Sequence, residues 1–162
     1  LVLSGCSKTN NSNETSSGST STDSSAQGID VSNMFSDRDK EIGYDEENST
    51  VIKLSDDSTT CDSDAVQISG NTVTIIDEGT YILSGTLTDG MVIVDAEDTD
   101  KVQLVLDGVD ITSAESAAIY VREADKVFIT TASDSKNTLT NGGTYTAIDD
   151  NNIDAAIFQN QI

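Results

Sequence analysis

The sequence predicts an all-β domain wound as a β-solenoid, and three observations carry that prediction. Proline is absent and helix signals are scarce. Beyond residue 50 the apolar residues are Val, Ile and Leu, alternating with Thr, Asp and Gln, which is the period-two pattern of strands. Two phrases recur. Asp100-Lys101-Val102-Gln103-Leu104 returns 25 positions later as Asp125-Lys126-Val127-Phe128-Ile129, and Ser116-Ala117-Ala118-Ile119-Tyr120 returns 38 positions later as Asp154-Ala155-Ala156-Ile157-Phe158. Repeats of this size suit solenoid units that bury their apolar faces only by stacking.

The predicted strands run 51–54, 65–68, 72–76, 80–83, 91–94, 102–106, 109–111, 117–121, 127–130 and 155–158. Gly70, Gly79, Gly85, Gly90 and Gly108 punctuate them. Unequal spacing is explained if loops of different length leave one side, with 133–152 as the longest. Alternation turns Val102, Leu104, Leu106, Ala117, Ile119 and Val121 inward, and Gln103, Val105, Ala118, Tyr120 and Arg122 outward. An antiparallel sandwich stays open, because Asp89-Gly90 is a hairpin signal; the repeated phrases favour the solenoid.

The first ten residues, LVLSGCSKTN, carry a different message. Leu3-Ser4-Gly5-Cys6 is similar to the lipobox of bacterial lipoproteins, where small residues admit the peptidase and the cysteine thiol accepts lipid. Residues 1–6 are read as a signal remnant with Cys6 lipidated. Residues 7–33, nearly all Ser, Thr, Asn and Gly, are read as a flexible tether. Residues 34–162 form the predicted domain. A diacylated cysteine anchors stably, so the expected location is the extracellular face of the bacterial membrane.

The formal net charge is −21 and histidine is absent. That excludes a nucleic-acid binder, which needs a basic face. It also excludes the usual zinc sites and any His-dependent hydrolase triad. With Cys6 assigned to lipid, Cys61 has no partner and is read as a small packing residue. Residues 37–48 fail as an EF-hand, since Gly43 is seventh rather than sixth and Asn48 stands where Glu is needed.

The chain resembles a bacterial surface family of carbohydrate-binding, calcium-dependent right-handed parallel β-helices related in fold to pectate lyases. The phrases that carry the resemblance are FSDRDKEIGYDEE, NTVTIIDEGTYILSGTLTDGMVIVDAEDTDKVQLVLDGVDITS, SAAIYVREADKVFIT, KNTLTNGGTY and DAAIF, over residues 35–158. The resemblance implies a right-handed parallel β-helix, truncated here at its C-terminal end. It also implies calcium and a polysaccharide partner, cellulose or polygalacturonate, bound without catalysis. A uronate lyase is the alternative and would need an Arg or Lys base of lowered pKa. Arg122 is the outward candidate, although Glu123 and Asp125 nearby should keep it charged. A structural spacer is the third reading.

Calcium takes six to eight oxygens. The preferred set is Asp149, Asp150 and Asp154 with Asn151 and Asn152, competing with 95–100 and 37–45; a solvated acidic turn is the plain alternative. Tyr120 and Phe158 share one phase of the repeat. They are expected either to meet a sugar ring or to stack on each other.

Overall fold

The computed structural model describes residues 35–56, 58–151 and 153–160. Cys6, its processing site and the tether 7–33 lie outside the described residues. The chain divides into two units, 1–41 and 42–162. The described part of the first holds one 3-10 turn, Arg38–Lys40, with Arg38 Nη1 2.7 Å from Glu41 Oε2.

The second unit is all β. Its described strands are β1 (Thr50–Leu54), β2 (Thr60–Cys61), β3 (Val66–Ser69), β4 (Thr72–Ile75), β5 (Gly79–Leu87), β6 (Met91–Asp95), β7 (Lys101–Ser113), β8 (Ile119–Glu123), β9 (Lys126–Thr131), β10 (Thr138–Asn141) and β11 (Ile157–Gln159). They form two sheets. One has the order β10-β7-β5-β1-β2 with β9 also on β7; the other has the order β11-β8-β6-β4-β3. From β4 to β9 the chain alternates between the sheets, so sequence neighbours face each other and alternate strands pair in parallel.

The core lies between the sheets. Ile52, Val73, Ile75, Leu83, Val92, Val94, Leu104, Ile111 and Ile119 are all fully buried there. Each contributes about 1.5–3 kcal/mol by leaving water. Cys61 packs half-buried against this core, and burial raises its thiol pKa. The inward set holds for Val102, Leu104, Leu106, Ile119 and Val121. It slips at the alanine pair, where Ala118 faces the main core and Ala117 joins a second cluster. The outward residues Gln103 and Val105 are nonetheless buried.

The expected right-handed parallel β-helix is corrected. The two sheets are mixed, with antiparallel pairs β1–β2 and β3–β4 beside the parallel ladders, and no closed solenoid forms among the described residues. The architecture is closer to a β-sandwich. The repeated phrases do lie side by side, with Val102 opposite Val127 and Tyr120 opposite Phe158. They report parallel neighbours within a sheet. That relation is common to a solenoid and to two facing sheets fed alternately, so it does not report closure.

Candidate functional site

The residues singled out on β8 and after β10 do converge, on the outer face of the second sheet. Tyr120 and Phe158 are register partners with ring centroids 5.8 Å apart and planes tilted 48°. The connection from β10 to β11 returns over them and seats Ile153 beside Met91, Ile93, Ala117 and Tyr120. Tyr120 is 0% exposed; of its two expected roles, meeting a sugar ring or stacking on Phe158, this geometry presents the stack. Phe158 is half-buried and packs against the same cluster.

A polar network closes the edge of this cluster. Tyr120 Oη donates to Asp149 Oδ2 at 2.7 Å, and Asn151 Nδ2 donates to Tyr120 Oη at 2.8 Å. The Asn151 backbone N–H donates to Asp149 Oδ1 at 2.9 Å. Arg122 Nε reaches Asp149 Oδ2 at 3.2 Å and its Nη1 reaches Asp95 Oδ2 at 2.7 Å. The guanidinium carbon stands 5.6 Å from the Tyr120 ring centre, within cation–π range. Arg122 thereby ties the covering connection to β6.

This geometry bears on two expectations. Burial alone would lower the Arg122 pKa; Asp95 and Asp149 outweigh it and raise it above the ordinary arginine value. Arg122 is therefore held charged and unsuited to abstract a proton, through Asp95 and Asp149 rather than Glu123 and Asp125. Asp149 in turn has both carboxylate oxygens engaged by donors. Asp150 and Asp154 are exposed, and among the described residues no three acidic, cysteine or histidine side chains stand close enough to hold a metal ion. As arranged, Asp149, Asp150 and Asp154 are not gathered into one cluster.

The Asp149 network predicts an acid response. Burial would raise its carboxyl, but donation from Tyr120, Asn151 and Arg122 prevails and holds it below the ordinary 3.8. A carboxylate with a depressed folded pKa stabilises above its unfolded pKa, and that contribution is lost as pH falls through the folded value. Melting scans should therefore show the wild type losing stability faster below about pH 4 than Asp149→Asn. Parallel curves would remove the network from the acid response.

A second feature went unread in the sequence. Residues 42–44 lie across the outer face of β7 and β9. Gln103, 4% exposed, holds them: its Nε2 donates to the Gly43 carbonyl at 3.0 Å and to Thr130 Oγ1 at 3.0 Å. Between this segment and the β9–β10 loop lies a cleft of about 440 Å³ lined by Ile42, Tyr44, Asp107, Thr130, Thr131 and Ser133. It combines a half-buried aromatic ring, one carboxylate and three hydroxyls. The sequence reading of 37–45 is a solvated turn with Phe35 and Tyr44 packing on the domain edge; a lone aromatic ahead of the first strand carries no periodic signal for a cleft.

Residues 69–161 match the family of carbohydrate-binding domain-containing proteins, and the chain belongs to that family. A relative from Acetivibrio thermocellus, described as a carbohydrate-binding domain-containing protein, is 38% identical over 110 residues, covering 66% of this chain and 38% of that protein. A solved structure, the polysaccharide lyase-like protein from C. thermocellum in a gadolinium derivative, is similar over 68% of this chain and 46% of that one. Its identity is 37% and its TM-score 0.65. The chain thus spans less than half the length of either protein. Of the cleft, Asp107, Thr130, Thr131 and Ser133 fall inside the family match; Ile42 and Tyr44 fall outside it.

Proposed function

We propose that this chain is a non-catalytic module that binds cell-wall polysaccharide through the Tyr44 cleft. The observation that carries the reading is the cleft's composition. A ring face packs on the C–H face of a sugar, while Asp107, Thr130, Thr131 and Ser133 offer acceptors and donors for hydroxyls. Gln103 fixes the ring-bearing segment from beneath, so little ordering cost falls on binding. Family membership supports carbohydrate as the ligand class.

Cellulose and polygalacturonate are the two candidate glycans. Among the described residues, the one charged side chain lining the cleft is Asp107, and the protein carries −21 overall. A neutral glucan needs no further help. A polyuronate would need a divalent cation such as calcium between its carboxylates and the protein, so only its retention should fall on adding chelator. Retention of the wild type on insoluble cellulose, lost in Tyr44→Ala, tests the reading. The lyase reading is kept in view by the polysaccharide lyase-like relative; release of unsaturated uronate, abolished in Arg122→Ala, would establish it instead.

The same proposal holds the module at the outer membrane face through lipid on Cys6. Wild type expressed with its export signal should enter the detergent phase and Cys6→Ala should stay aqueous. Equal partitioning of the two would remove the anchor.

A further inference from the structure

Away from the Tyr44 cleft, three turns stack at one end of the strands. They are the β3–β4 turn at Gly70-Asn71, the β5–β6 turn at 88–90 and the β7–β8 connection at 114–118. Hydrogen bonds fix each on the next. Asn71 Nδ2 donates to the Asp89 carbonyl at 3.0 Å, and Ala114 N–H donates to Asp89 Oδ1 at 3.0 Å. Asn141 Nδ2 donates to the Ser116 carbonyl at 2.9 Å. Gly90 is part of the fit, since a Cβ there would stand 2.4 Å from the Asn71 carbonyl oxygen.

Between the turns lies a cavity of about 260 Å³ lined by Asn71, Thr72, Asp89, Met91, Glu115 and Ser116 among others. Ser116 is only 5% exposed. Its Oγ is the one buried side-chain polar atom among the described residues without a hydrogen-bond partner. Buried hydroxyls are ordinarily paired, and an orphan needs an explanation. Serine has a single side-chain torsion, so one step between staggered wells changes where Oγ lies relative to the cavity wall.

We infer that this cavity is a second saccharide subsite, which takes one neutral hexose residue and rejects a uronate. The inference rests on the carbohydrate-binding reading above and deepens it. Asp89 has one carboxylate oxygen held by Ala114 and no protein donor on the other among the described residues. That free oxygen, the Asn71 amide and the Thr72 and Ser116 hydroxyls suit a pair of sugar hydroxyls. Met91 supplies an apolar patch for the ring. Asp89 and Glu115, with no cation in the lining, repel a carboxylate. The volume is below the usual ~300–1,000 Å³ of ligand pockets, which suits one ring and not a run of chain.

The test is a nitrogen–proton NMR titration of the whole chain with cellobiose and, separately, digalacturonate. Wild type, Tyr44→Ala and Ser116→Ala are compared. Cellobiose should move the amides of Asn71, Gly90 and Ser116 in both wild type and Tyr44→Ala, and digalacturonate should not. Ser116→Ala should bind cellobiose there about tenfold more weakly, with a melting temperature equal to or above wild type because the lost hydroxyl had no partner. Movement near Tyr44 alone would overturn the second subsite and leave the first standing; no movement at either place would overturn both. Equal cellobiose affinity in Ser116→Ala, a lowered melting temperature without weakened binding, or digalacturonate binding at the same amides would each overturn the inference.

Discussion

Tyr120→Ala should cost about 3–5 kcal/mol of stability, the range for deleting a fully buried aromatic side chain. The ring fills the second apolar cluster with Met91, Ile93, Ala117 and Ile153, and it stacks on Phe158. Its hydroxyl donates to Asp149 and accepts from Asn151, so truncation also strips partners from the connection that covers it. That connection can settle partly into the vacated space, which places the expected value near the lower end. Glycan retention per folded molecule should not change. Tyr120→Phe keeps the packing and loses the hydrogen bonds, about 1 kcal/mol. Urea unfolding separates the roles. A Tyr120→Ala variant of wild-type stability that fails to bind glycan would return the residue to the role of sugar contact.

Gly85→Ala should be as damaging for a backbone reason. Gly85 stands opposite Leu54 of β1, where the pairing of β5 with β7 shifts register. Its φ is +99°, and an added Cβ would lie 2.2 Å from the Leu54 carbonyl oxygen. That oxygen belongs to a neighbouring strand and cannot swing aside as a side chain tip would. Positive φ costs about 1–2 kcal/mol for an L-residue, and forced overpacking about 1–3 more. The sum approaches the 5–15 kcal/mol that holds a typical domain together. Gly108→Ala is the control: its φ is +77° but nothing lies within 4 Å of the added carbon, so only the smaller term applies. Equal denaturation midpoints for the two variants would mean that the Leu54 contact carries no cost.

Much of the strand layout was legible because burial writes a period of two into the chain. Ile52 and Leu54 are buried while Val51 and Lys53 between them are exposed. The repeated Asp-Lys-Val phrase marked strands that pair in register. Other elements left weaker marks. β2 is two residues long and β10 lies in a stretch of Thr and Asn, within what read as an insertion. Gly108 looked like a break, yet β7 passes through it from Lys101 to Ser113. Closure into a solenoid could not be read from parallel repeats, because the hairpins that make the sheets mixed rest on short turns such as Gly70-Asn71.

The site residues divide by the same logic. Tyr120 and Arg122 do project from the outer face of the second sheet, but phase along a strand says nothing about what covers that face. Here a connection far along the chain does so, through Ile153, Asp149 and Asn151. The acidic run at 149–154 read as a calcium loop on composition and on its place in a long loop before a strand. Neither signal shows that its first carboxylate answers an arginine 27 residues earlier. The cleft beside Tyr44 was illegible for the converse reason, since Gln103, 60 residues from Gly43, sets its segment over the sheet.

The most direct measurement of the central claim is a binding isotherm on insoluble cellulose, taken for wild type and for Tyr44→Ala. An aromatic that anchors a ligand is worth about 2 kcal/mol or more, roughly 30-fold in affinity, while a half-buried ring outside the core adds little to stability. The account predicts saturable wild-type binding that Tyr44→Ala loses at unchanged melting temperature. Equal isotherms for the two folded proteins, or no retention of the wild type, would contradict it.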